Sequence, residues 1–132
     1  MKSAFVVLVV LGFGACTVSC SSGYVSRGRS LYYEGRFLES AEVLALHERE
    51  FGQQPVKRQA EYATYRGLSM LVLGDYPQAH RWLATAYEIE RVAPGSLRPE
   101  YRFDLDRGWG ELAIRYPLPA TSRPAPSRPV MR

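Results

Sequence analysis

Lysine is nearly missing from this 132-residue chain: Lys2 and Lys57 are its only copies, and arginine carries the rest of the positive charge. Cysteine is confined to Cys16 and Cys20, so any thiol chemistry rests on one pair with three residues between its members. A redox pair would have two intervening residues and would lie beside a strand-helix-strand pattern. A metal site needs more ligands than that pair supplies, and His47 and His80 stand far from it with no matching spacing. There is no Gly-x-Ser-x-Gly elbow, no phosphate loop and no dinucleotide fingerprint. Glu88 with Glu90, and Asp104 with Asp106, are carboxylates two apart, which diverge on a helix rather than share a substrate. These absences predict a chain that is not an enzyme and takes neither cofactor nor metal.

A one-sided charge is also absent where it would matter. The formal net charge is +4, but Lys2 lies at the start and Arg123, Arg128 and Arg132 lie near the end. Between Ser21 and Tyr116 the 13 Lys and Arg balance the 13 Asp and Glu, and the two signs are interleaved. Nucleic-acid binding needs positive charge gathered on one face, so none is expected here.

Long apolar runs are lacking as well. The longest, residues 4–15 (AFVVLVVLGFGA), has twelve residues, short of the roughly 20 that span a bilayer. One positive charge, a short apolar segment and small residues behind it are the marks of an export signal. Small residues precede each cysteine: Gly14-Ala15 before Cys16 and Val18-Ser19 before Cys20. This resembles the lipobox of bacterial lipoproteins, although the favoured leucine at minus three is replaced by Phe13 or Thr17. The resemblance implies cleavage before a cysteine that becomes lipid-modified. Cys20 is preferred, giving a signal of residues 1–19 and a short linker at 20–23, with Cys16 as the alternative. It also implies a cell-envelope location, anchored in the outer membrane and facing the periplasm.

The remaining chain repeats itself. At an offset of 39 residues, Gly28 meets Gly67, Ser30 meets Ser69, Gly35 meets Gly74, Phe37 meets Tyr76 and Leu44 meets Leu83. Each unit reads as two helices joined at Gly35 or Gly74, since glycine accepts the left-handed conformation that stops a helix. Asp75 is expected to cap the second helix of its unit, with Pro77 in the first turn. Ala79, Leu83, Ala86, Tyr87 and Glu90 then share one stripe, as do Phe37, Ala41, Leu44, Ala45 and Glu48. Gly28 and Gly67 suit closely crossing helices.

LGDYPQA, residues 73–79, and more weakly EGRFLES, residues 34–40, resemble the tetratricopeptide repeat. The likeness covers residues 24–93, without the family's Trp-x-x-Leu opening. The period of 39 exceeds the usual 34 or so, which calls for a longer second helix or a loop around residues 51–55. Two repeats leave an apolar end open, and Tyr101, Leu105, Trp109, Leu112 and Tyr116 form a stripe fit to close it. The expected fold is all-α: two helix-turn-helix repeats and a capping helix within residues 24–116. Gly108 and Gly110 would weaken that helix by about 1 kcal/mol each. Residues 117–132, rich in proline with two Ser-Arg-Pro copies, are expected to form an extended, disordered tail.

By resemblance to the repeat family, the first helix of each unit lines a concave binding face. That assigns Val25, Arg29, Tyr32 and Tyr33 in one unit and Thr64, Leu68, Leu71 and Val72 in the other, although the second set is so apolar that burial against the capping helix is the favoured reading of it. Arg29, Tyr32, Tyr33 and Leu68 are the candidate partner-binding residues, Tyr and Arg being frequent interface anchors. The function implied is that of a lipid-anchored adaptor or assembly factor recruiting an envelope protein or peptide. The rival is a structural envelope lipoprotein that self-associates or contacts the cell wall. An adaptor should hold Tyr32 and Tyr33 open to solvent in a concavity, whereas the structural rival should bury them against the capping helix or another copy.

Overall fold

Gly35 and Gly74 have φ of +77° and +83°, in the region where an L side chain is strained and a helix ends. In the computed structural model, which describes residues 23 to 117, each stands between two helices. Helix α1 (Gly23–Tyr33) precedes Gly35 and α2 (Phe37–Leu46) follows it; α3 (Val56–Leu73) precedes Gly74 and α4 (Tyr76–Val92) follows. The closing hydrogen bonds match at the offset of 39. Gly35 N–H donates to Tyr32 O at 3.0 Å and Arg36 N–H to Leu31 O at 2.9 Å. Gly74 N–H donates to Leu71 O at 3.2 Å and Asp75 N–H to Met70 O at 3.0 Å. The Asp75 side chain accepts from Gln78 N–H at 3.2 Å, capping α4 as its sequence suggests. A fifth helix, α5 (Pro99–Arg115), completes a fold that is all-α among the described residues.

Helix directions follow from which residues pair. Ser26 meets Arg58, Arg29 meets Glu61 and Tyr33 meets Tyr65, each at a separation of 32, so α1 and α3 run parallel and in register. Tyr65 against Tyr101 and Gly108 against Leu68 set α5 parallel to α3. Between α2 and α3 the pairs reverse: Ser40 with Ser69, Ala41 with Arg66, Leu44 with Tyr62. The result is two layers, α1, α3 and α5 in one and α2 and α4 in the other. α3 is buried from Ala60 to Ser69, with α1, α2, α4 and α5 packed around it.

The paired glycines explain how closely the hairpins close. A methyl group on Gly28 would lie 2.7 Å from the Leu44 side chain, and one on Gly67 would lie 2.7 Å from that of Leu83. The same approach frees the Gly28 carbonyl to accept from Ser40 at 2.7 Å, inside the core. Gly108, which weakens α5 intrinsically, also has a packing reason, since a side chain there would overlap Leu68. Gly110 has nothing within 4 Å. In such open helical sites alanine stabilises by about 0.5–1 kcal/mol, whereas overpacking a core costs about 1–3 kcal/mol. Gly67→Ala is therefore expected to lower the melting temperature and Gly110→Ala to raise it, which calorimetry of the two variants will read.

The extra residues of the period form a loop rather than a longer helix. α2 stops at Leu46, and a 3-10 segment, Glu48–Gln53, carries the chain to α3. This corrects the stripe expected on α2: Ala41 and Leu44 are buried, but Ala45 is exposed and Glu48 has left the helix. Trp82, outside the expected α4 stripe, is buried against Phe51 of the 3-10 segment and Tyr62 of α3. On α5, Tyr101, Leu105, Trp109 and Leu112 are buried as their spacing requires, while Tyr116 lies exposed beyond the helix end.

Candidate functional site: a groove over α3

No Cα pair of α1 and α5 comes within 8 Å; the two helices lie on either side of α3, and the surface between them is the candidate groove. Side chains bridge it. The Tyr33 hydroxyl donates to Asp104 Oδ2 on α5 at 2.5 Å and lies 2.7 Å from the Tyr65 hydroxyl. Tyr65, buried on α3, donates to the same carboxylate oxygen at 3.1 Å. Arg107 donates to Asp104 Oδ1 at 3.2 Å, so both oxygens of this buried carboxylate are partnered. The Tyr32 ring packs 5.5 Å from Tyr65 and 5.3 Å from Phe37.

One turn toward the helix starts, the groove changes character. Glu61, buried on α3, is ion-paired to Arg29 of α1 and accepts from Arg58 of its own helix at 3.0 Å. The Arg29 guanidinium lies 5.0 Å from the Tyr101 ring centre, and Arg98 approaches the same ring at 5.8 Å. These groups, with Ser26, Lys57 and Ser96, line an open cleft of about 270 Å³. It gathers four cations, Arg29, Lys57, Arg58 and Arg98, against one carboxylate, Glu61.

The expected site residues divide. Arg29, Tyr32 and Tyr33 do come together on α1, with Tyr33 56% exposed and Tyr32 half-buried. Tyr33 is exposed by its ring and tied down by its hydroxyl, so it satisfies neither the open nor the buried expectation alone. Leu68 requires correction: it is 2% exposed and lies beneath Gly108 of α5, so the capping helix removes it from the groove surface. Val25, Thr64 and Leu71 are likewise core, and Val72 alone of the second set is exposed. His47 stacks on Tyr24 at 4.2 Å and reaches Glu50 at 3.1 Å, a packing role at the end of α2. Glu61, Tyr65, Tyr101 and Asp104 were not singled out for this site. Glu61 and Tyr65 are spaced like Arg29 and Tyr33, four apart, and that matched spacing was the available signal.

No family model matches the chain, and neither curated proteins nor solved structures give a significant match to it. The expected signal, Cys16, Cys20 and residues 118–132 lie outside the described residues. Among those described, no helix is long and apolar enough to cross a membrane, and no group of three or more His, Cys, Asp and Glu is placed to hold a metal.

Burial dominates the tyrosine acidities. It pushes Tyr62, Tyr65 and Tyr87 up; at Tyr65 the neighbouring Tyr33 hydroxyl adds to the effect, and at Tyr87 the Asp106 carboxylate does. Above pH 10 or so the unfolded chain ionises its tyrosines, while the folded chain keeps these protonated. The folded state then binds more protons, and stability falls as pH rises. Alkaline titration is expected to show these tyrosinates appearing only together with loss of helical circular dichroism. Their ionisation in a still-helical protein would contradict the buried network.

Proposed function

We propose that this protein is an envelope lipoprotein, anchored through Cys20, whose tetratricopeptide-like helices act as an adaptor or assembly factor. The observation carrying this reading is the groove between α1 and α5, with an exposed Tyr33 ring, a half-buried Tyr32 and Arg29 along one wall. Tyrosine and arginine contribute large contact area and directed hydrogen bonds, which suits them to anchor a partner segment. The hydroxyl tie to Asp104 holds the Tyr33 ring in place before a partner arrives, and such preorganisation raises affinity. The matched caps and glycine contacts at an offset of 39 support the repeat reading. The groove's partner would be a peptide or helix of another envelope protein.

A second reading has its own observation. The outward face of α5 exposes Phe103 at 67% and Ile114 at 84%, apolar side chains that a self-associating lipoprotein would cover. In-cell crosslinking and capture from membranes, comparing wild type with Tyr33→Ala and Phe103→Ser/Ile114→Ser, separates the two. A defined heterologous partner lost only in Tyr33→Ala supports the adaptor. Self-crosslinks lost only in the α5 variant overturn it in favour of self-association.

A further inference from the structure

We infer that the cationic cleft at the start of the groove is a seat for the phosphate of an anionic phospholipid headgroup. The inference rests on the proposed anchor at Cys20, and the structure fixes where such an anchor would enter. Gly23 begins α1, and Ser26, in the first turn, lines the cleft. Three residue steps separate Cys20 from Gly23, a reach of at most about 11 Å. A diacylated Cys20 would therefore hold the start of α1, and the cleft beside it, at headgroup depth.

Parallel packing makes that end chemically special. Because α1, α3 and α5 run in one direction, their N-termini face the same side, and the cleft residues come from those ends. Lys57 and Arg58 lie in the first turn of α3, and Arg98 immediately precedes α5. Helix N-termini favour negative charge, which adds to the cations already there. Glu61 is buried and engaged by Arg29 and Arg58, so its single charge is shared by that pair and not by Lys57 and Arg98 at the mouth. Ser26 brings to the same cleft a hydroxyl that accepts from Arg58 and keeps its own proton to donate, and hydroxyl and cation together match a phosphate ester. The overall balance of charge between Ser21 and Tyr116 hid this cluster, because its members are scattered along the sequence.

Lys57 is the one lysine besides Lys2, so amine labelling reads the cleft directly. The full chain would be placed in nanodiscs of phosphatidylcholine alone or with one-third phosphatidylglycerol, and acetylation of Lys57 followed by peptide mass spectrometry. Slowing of roughly fivefold or more in the anionic discs is expected, the shift that one basic residue's surface attraction supplies. It should vanish in high salt and in Arg98→Glu, an exposed change at a helix start that accepts acidic residues. Equal reactivity in both discs, or protection that survives Arg98→Glu, overturns the inference. So does equal protection in phosphatidylcholine discs by added glycerol 3-phosphate, which would make the ligand a soluble phosphate ester. The mass of the N-terminal peptide reports the anchor separately. An acylated Cys20 with unprotected Lys57 removes the cleft and leaves the anchor. Selective protection without acylation keeps the cleft and removes the anchor.

Discussion

Trp82→Ala is expected to lower stability by about 3–5 kcal/mol, the usual loss when a buried aromatic is cut back to a methyl group. Trp82 joins three parts of the chain. Its ring lies 5.4 Å from Phe51 in the 3-10 segment and 5.3 Å from Tyr62 in α3, both edge-on, with the Arg81 guanidinium 5.0 Å from its centre. Phe51 is the main apolar tie between the loop and the helices, so truncation removes support for the loop as well as filling from the core. A domain of this size has roughly 5–15 kcal/mol in total, so the variant would lose a large share of its stability. The indole N–H has no hydrogen-bond partner, so its loss should cost little by itself. Trp82→Phe keeps one aromatic ring in the site and is expected to lose clearly less than the alanine variant. Urea unfolding of the pair measures both, and an equal loss in each would mean that the ring packing is not what matters.

The legible parts of this fold are those that short-range chemistry decides. Gly35 and Gly74 mark turns because only glycine accepts their φ without strain, and Asp75 marks a cap because its carboxylate reaches an unpaired N–H. Gly28 and Gly67 announce close crossings whose partners, Leu44 and Leu83, recur at the same offset. The loop at residues 47–55 was legible only as a surplus of residues. Its 3-10 form depends on Phe51 finding Trp82, a contact made across 31 residues that no local pattern specifies. The groove was half legible. Arg29, Tyr32 and Tyr33 share one helix, whereas Asp104 and Glu61 matter only because parallel packing brings them opposite those residues. Leu68 fell on the expected lining positions, but α5 covers that part of the lining, so the same position became core.

Glu61→Gln tests both the stability and the charge of the site, and the two should move in opposite directions. Glu61 is 5% exposed and is ion-paired to both Arg29 and Arg58, which have only partial access to water. Removing one partner of a buried ion pair typically costs 3–5 kcal/mol, because the other charge stays behind without compensation. Here water reaches both arginines, so a loss of about 2–3 kcal/mol is expected, after discounting for that screening. Arg29→Met in the Glu61→Gln background should recover part of it, since an apolar side chain can lie on the Tyr101 ring that the guanidinium now covers. Full additivity of the two changes would mean that the residues do not act as a pair. The same substitution removes the only carboxylate that lines the cleft among the described residues. Binding to vesicles containing phosphatidylglycerol should therefore tighten by up to about fivefold even as the melting temperature falls. A variant that loses stability and vesicle affinity together would mean that Glu61 shapes the cleft rather than limits its charge.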